Sequence, residues 1–315
     1  MQESLTTKPG ASAAPISPAR ACAFVVLVAT ALCVAAWGGR GAAYAAPVAA
    51  LPAVIDPGTF GPPSFDEDFA HFDAGTDQTR PAHPHRWRTV KGDGGPAAPA
   101  NRAMSAMSLA VDADYRGTDN GAPLGINPFT TGPQGLTITA RKVSPALQAR
   151  MFGRQWASGL LTTKFSFEQH QGYFEADMDL PVCQKGAWPA FWVVPAKGPW
   201  PLHGEIDMPE TIGDGKIHWG TISGATGRKE EAHVVTPGDC SRSWHRYGML
   251  WQGDSVGYYY DRHLVGQAKA AADYTEPMYI ILNLAVGGSW PGPPDPAATQ
   301  ITMRVRRVSA WPLLR

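Results

Sequence analysis

The chain has 315 residues, room for one large domain or two small ones, and its 27 basic side chains balance 27 acidic ones. With zero formal net charge and 17% of residues charged, no basic field is present to draw in nucleic acid, and an uncharged partner is expected. The 34 glycines, 29 prolines and 11 tryptophans argue against a helical bundle and for many turns with an aromatic-lined surface.

Ala21 to Trp37 is an apolar run preceded by Lys8 and Arg20 and followed by small residues, with Ala43-Tyr44-Ala45 as an A-x-A cleavage site. Residues 1–45 therefore read as a secretory signal peptide or, because 17 residues is the lower limit for spanning, as a short uncleaved anchor. A secreted or periplasmic location is expected, with no membrane partner beyond this segment. Of four cysteines, Cys183 and Cys240 would remain after cleavage, either as a disulfide or as two buried thiols. Residues 46–63 are rich in Ala, Pro and Gly without periodicity and read as a linker with little structure.

Residues 64–315 form the expected single domain, with no fixed-period repeat and no internal boundary. Ser64 to Phe69 opens it, and Gly135 to Arg141 alternates apolar and polar residues as a half-buried strand does. Further strand signals follow at Ser158–Phe167, Gly172–Leu180, Ala190–Val194, Glu205–Glu210, Lys216–Ser223, Tyr247–Trp251, Val256–Tyr260, Tyr279–Val286 and Gln300–Val308. Helical periodicity is nearly absent, so an all-β antiparallel sandwich, expected as a monomer, is the natural architecture.

One strand carries unusual chemistry. Glu205-Ile206-Asp207-Met208-Pro209-Glu210 sets three carboxylates in six residues. Alternation places Glu205 and Asp207 on one face and Ile206 and Met208 on the other, which would leave Glu210 on the wrong side. One extra residue, a β-bulge at Met208-Pro209, returns Glu210 to the acid face, and Pro suits a bulge because it has no N–H for the ladder. Glu205 and Glu210 would then lie about four strand steps apart, roughly 13 Å of backbone. With both side chains leaning inward, that allows the gap of about 5 to 5.5 Å used by a retaining glycosidase. The bland alternative is a solvated acidic strand edge.

The tryptophans favour the first reading. Trp188 and Trp192 are four apart and share a strand face, Trp200 lies in the loop before the acids, and Trp290 follows Gly287-Gly288-Ser289. Indoles stack on the apolar faces of sugars, so tryptophans beside carboxylates suit a polysaccharide cleft, although any single Trp is more often core. His203, Glu205 and Asp207 could be read as metal ligands, but no second His cluster supports a zinc site, so neither a metal nor a cofactor is expected in the chemistry. A structural calcium ion held by loop oxygens is compatible with the sequence, without assignable ligands.

Several segments in order, Gly172-Tyr173-Phe174-Glu175, Gly186 to Trp192, Glu205 to Glu210, Trp244-His245-Arg246-Tyr247 with Trp251, and Ile281 to Gly288 with Trp290-Pro291-Gly292, together resemble glycoside hydrolase family 16. This is the group of laminarinases, lichenases and exopolysaccharide depolymerases. The resemblance covers residues from about Phe65 to Arg315 and implies a jelly-roll, lectin-like sandwich whose concave sheet forms the substrate cleft. It also implies an endo-acting β-1,3 or β-1,3-1,4-glucanase with Glu205 as nucleophile, Glu210 as acid/base and Asp207 as a helper. Trp188, Trp192, Trp200, Asn283 and Trp290 would line the cleft. Asn127 to Phe129 and Trp156 to Leu161 look closest to the exopolysaccharide-depolymerising members.

Three positions depart from the family pattern. Asp177 stands where many members carry an Arg expected to face sugar. Thr221-Ile222-Ser223 occupies the stretch where a His often contacts the central Asp, with His218 lying earlier, and Pro209 replaces an aliphatic residue or Met. A noncatalytic lectin-like binder and a transglycosylase on the same fold are the alternatives these departures leave open.

Overall fold

The computed structural model describes residues 50–76, 85–89, 102, 105, 107–225, 228–235 and 240–314. The segment 1–45, expected as a signal or anchor, lies outside the described residues.

In chain order the first strands are β1 (Phe65–Glu67), β2 (Ala74–Gly75), β3 (Trp87–Arg88), β4 (Ser108–Ala110), β5 (Phe129–Gly132) and β6 (Gly135–Lys142). Helix α1 (Pro145–Ala149) follows as a single turn, opened by Ser144 as N-cap and Pro145 at its first position. Next come β7 (Trp156–Ser158), β8 (Leu160–Thr162), β9 (Gly172–Asp179), β10 (Ala187–Pro195), β11 (Glu205–Glu210) and β12 (Lys216–Ser223). The chain closes with β13 (Arg228–Val235), β14 (Trp244–Gln252), β15 (Ser255–Tyr260), β16 (His263–Lys269), β17 (Met278–Val286) and β18 (Gln300–Trp311).

Among the described residues these strands form two sheets. The ten-stranded sheet runs β16-β15-β14-β9-β18-β6-β7-β4, with β1 on β18 and β5 on β6; the eight-stranded sheet runs β13-β12-β11-β10-β17-β8-β3-β2. Pairing is antiparallel except for two short parallel contacts, β2 with β3 and β4 with β7. The expected antiparallel sandwich is therefore right in architecture and incomplete at its margins.

Period-two patterning explains the layers. On β9, Phe174, Ala176 and Met178 enter the core, and on β17 Met278, Ile280, Leu282, Leu284 and Val286 do the same from the facing sheet. Their neighbours point outward, so each sheet has a second face with its own chemistry. On the eight-stranded sheet that face carries Leu160, Ala190, Trp192, Val194, Tyr279 and Ile281 as a separate apolar cluster.

The linker reading of 46–63 needs correction for its described part. Val54 pairs with His263, Pro57–Phe60 forms a 3₁₀ turn, and Ile55 is buried against Tyr173, Leu250 and Tyr259 on the outer face of the ten-stranded sheet. Local composition has no periodicity there because this strap owes its shape to apolar side chains of the sheet beneath it. Cys183 and Cys240 are joined as a disulfide with Cα atoms 5.4 Å apart, which resolves the two alternatives.

Candidate active site on the eight-stranded sheet

Strand β11 contains the bulge that its acid spacing requires. Glu205 lies opposite Ile222, Ile206 opposite Thr221 and Asp207 opposite Gly220, yet the next pair is Glu210 with His218. Three steps on β11 thus match two on β12. The same extra residue appears against β10, where Asp207 faces Trp192 and Glu210 faces Ala190. The Met208–Pro209 peptide, which is cis, falls inside this irregular step. Ile206 and Met208 are sealed in the core, while Glu205, Asp207 and Glu210 keep 8%, 3% and 8% of their surface accessible on the opposite face. Three carboxylates are therefore drawn out of bulk water, where dipoles aimed at them act strongly.

Indole N–H groups meet the two outer acids. Trp200 donates to Glu205 Oε2 at 2.6 Å, and Trp188 donates to Glu210 Oε1 at 2.9 Å. An indole can donate but not accept and carries no charge, so it orients a carboxylate without adding a cation. Trp188 meets Trp290 edge to face at 5.7 Å, and His218 meets the same Trp290 ring at 5.1 Å. His218 itself is within 3.1 Å of Asp214. Trp188, Trp290 and His218 thus form a wall beside Glu210, and Trp200, 57% exposed, forms the opposite rim beside Glu205.

The remaining two expected lining residues sit lower. Trp192 and Asn283 are 5% and 3% exposed, and the Trp192 indole donates to Asn283 Oδ1 at 2.7 Å. They lie on the same outward face as the acids, Trp192 level with Asp207 on the neighbouring strand, and are almost closed to solvent there. Trp188, Trp200 and Trp290 are the more open of the five.

Residues distant in sequence place the acid strand. His203 at φ 65 and Gly204 at φ 93 turn the chain left-handed immediately before Glu205. A Cβ on Gly204 would come within 2.0 Å of the Tyr274 ring, so only glycine lets that ring pack here. The Tyr274 hydroxyl lies 2.8 Å from the Glu205 carbonyl and 2.9 Å from that of Ile222, bracing the first pair of β11 and β12. Beside it, Asp273 accepts from Ser223 Oγ at 2.7 Å and from the Ala225 N–H at 3.1 Å. Burial works against the Asp273 charge, but the Ser223 hydroxyl and the Ala225 N–H hold its carboxyl below the ordinary carboxylate range. Tyr274 and Asp273 went unread in the sequence, and His218 was read only as lying earlier than the Thr221-Ile222-Ser223 stretch. Only the antiparallel register could have revealed His218, and no local signal marks Tyr274.

Two of the departures acquire a physical explanation. Asp177 does not face the cleft: it projects from the outer face of β9 in the other sheet, 3.3 Å from Arg306. Ser223 shares the face of Ile217, which enters the core, while Gly220 and Ile222 are the residues level with Asp207 and Glu205. Neither position belongs to the acid row. Among the described residues, no group of three or more His, Cys, Asp or Glu side chains is arranged to hold a metal ion.

The chain is 40% identical over 191 residues to the endo-1,3-1,4-beta-glycanase ExsH of Rhizobium meliloti (strain 1021), an alignment covering 60% of this chain and 40% of that protein. It is 38% identical over 193 residues to the endo-1,3-1,4-beta-glycanase EglC of the same strain, covering 59% and 40%. The chain thus spans well under half the length of these two relatives. A glucan endo-1,3-beta-glucosidase of Cryptopygus antarcticus is 30% identical over 185 residues, 50% of this chain and 67% of that protein. In fold, the laminarinase catalytic domain from Thermotoga maritima MSB8 superposes with a TM-score of 0.64 at 23% identity, covering 81% of this chain and 99% of that one. The family model described as glycosyl hydrolases family 16 matches residues 118–307, more than half of the chain and the whole acid strand, and the protein therefore belongs to that family.

Proposed function

We propose that the chain is an exported, retaining endo-β-glycosidase that hydrolyses a β-1,3- or mixed-linkage β-glucan, or a bacterial exopolysaccharide built on such linkages. The observation that carries this reading is the bulge, which places Glu205, Asp207 and Glu210 on one face with an indole donor on each outer acid. The Glu205 carboxylate attacks the anomeric carbon while Glu210 gives its proton to the departing glycosidic oxygen, leaving a glycosyl ester on Glu205. Glu210, now ionised, takes a proton from water; the water oxygen attacks the same carbon and Glu205 leaves as carboxylate. Asp207, between them, helps orient Glu205 and set its protonation state. No cofactor enters either step.

The substrate class is supported by the names of the Rhizobium meliloti relatives and by the neutral, tryptophan-lined wall beside Glu210. Export is supported by the Cys183–Cys240 disulfide, a bond that persists in oxidising compartments, together with the apolar run at Ala21 to Trp37. Incubation with defined β-1,3-, mixed-linkage and β-1,4-glucans, reading new reducing ends, tests the activity. Oligosaccharide release from at least one of the first two is expected, and no release from any of these or from a bacterial exopolysaccharide with such linkages would overturn it.

A further inference from the structure

The outer face of the ten-stranded sheet carries a site that the proposed reaction does not use. The strap around Ile55 and Phe60 covers Tyr173, Leu250 and Tyr259, and stops short of the adjoining part of the sheet. Beyond it, the register aligns Asp66 with Ser309 and Ser309 with Glu175; one step further along, Arg307 aligns with Asp177 and Asp177 with Arg246. These side chains line a recess of about 360 Å³ bounded by Pro63 and Trp311. That volume lies in the lower range of small-molecule sites.

Most charges here are already matched. Arg262 binds Glu175 through two nitrogens, both at 2.9 Å, and Tyr173 donates to the same carboxylate at 2.8 Å. Arg307 pairs with Asp66, which also accepts from Ser309 Oγ at 2.7 Å. Two groups are left under-used. Asp177, its side chain 14% exposed, has a single hydrogen bond, at 3.3 Å, to an Arg306 guanidinium that lies 4.0 Å over the Trp244 ring. Arg246 makes no side-chain hydrogen bond among the described residues, although it lies level with Asp177 on the next strand. Burial pushes the Asp177 carboxyl up despite Arg306 and Arg246, consistent with a carboxylate short of donors.

The chemistry of a fitting ligand follows. Three carboxylates, Asp66, Glu175 and Asp177, balance three guanidiniums, Arg246, Arg262 and Arg307, so the lining favours neither an anion nor a cation. A free acceptor beside a free donor suits adjacent hydroxyls, each of which both gives and accepts a hydrogen bond. Trp311, half-buried and stacked on Tyr173 at 5.7 Å, adds an apolar plane at the rim. We propose that this recess is a second carbohydrate site, which holds a neutral sugar unit by hydroxyl contacts to Asp177 and Arg246 with its ring face against Trp311. It lies on the side of the sandwich away from the acid row, so the two sites engage different stretches of polymer. Capture at one raises the effective concentration at the other on an insoluble glucan. The proposal rests on the glucanase reading for the choice of polymer.

The test uses the full chain carrying Glu205→Gln, so that the probe, a soluble β-1,3-gluco-oligosaccharide, survives the titration. The indole N–H resonances are followed by NMR, with Trp311 assigned from its loss in Trp311→Phe. The Trp311 resonance is expected to move with the probe. Arg246→Ala and Asp177→Asn should each weaken that response about tenfold, as loss of a charged hydrogen bond does, without changing the melting temperature. Because Trp188 and Trp290 report the cleft separately, movement of Trp311 supports the second site even if the unmutated chain cleaves no glucan. Movement of the cleft indoles with Trp311 still overturns the second site and leaves the reaction standing, and an unaltered Trp311 response in both variants overturns it as well.

Discussion

Strands β9 and β11 each present three carboxylates on an outward face, and their surroundings divide them. On β9, Glu175 is gripped by Arg262 and Asp179 by both Arg242 and Arg304, so the row is held by cations. On β11, Glu205 and Glu210 accept from Trp200 and Trp188, donors that bring no charge. A guanidinium pins a carboxylate in its ionised form, which suits a structural role. An indole fixes its direction and leaves it able to exchange a proton, which suits an acid/base or a nucleophile. The acid count alone does not distinguish the two rows; the partners do.

The comparison is sharpest when one acid from each row is neutralised without changing its shape. Glu205→Gln or Glu210→Gln is expected to lower glucan hydrolysis by about 10³-fold or more while the melting temperature stays put, measured by reducing-end release and thermal unfolding. Undiminished turnover in either variant would remove β11 from the reaction. Asp179→Asn should do the reverse. It leaves two partly exposed guanidiniums around a fully buried side chain, costs about 2–3 kcal/mol and lowers the melting temperature by roughly 5–10 °C with kcat unchanged.

A smaller effect separates position from chemistry. Tyr274→Phe keeps the ring that packs on Gly204 and removes the hydroxyl bonded to the Glu205 and Ile222 carbonyls. A drop in kcat of about three- to tenfold with KM unchanged is expected, because Glu205 loses a brace and the Trp188–Trp290 wall does not. An equal fall in binding and turnover would reduce Tyr274 to a general stabiliser.

What could be read from the chain follows from range of interaction. The ends of β11 and β12, and the bulge between Asp207 and Glu210, are legible because face parity is a local property and the acids violate it by one residue. The edge strands β13 and β16 escape notice because an edge strand carries no obligatory apolar alternation: Arg228–Val235 opens with four charged residues and His263–Lys269 is mostly half-exposed. The strap at 50–63 looks like a linker because its partners, Tyr173, Leu250 and Tyr259, are more than a hundred residues away. The same distance hides Tyr274 from Glu205. Asp177 was misplaced for another reason: its strand belongs to the sheet behind the cleft, and strand order across two sheets is not written in any one segment.

The central claim, that Glu205 and Glu210 act as nucleophile and acid/base in a double displacement, is tested most directly by the anomeric configuration of the first sugar released, followed by NMR before mutarotation. Two inversions at the same carbon predict the β-anomer from a β-linked glucan. An initial α-anomer would mean a single displacement by water and would contradict the assignment of Glu205 as nucleophile.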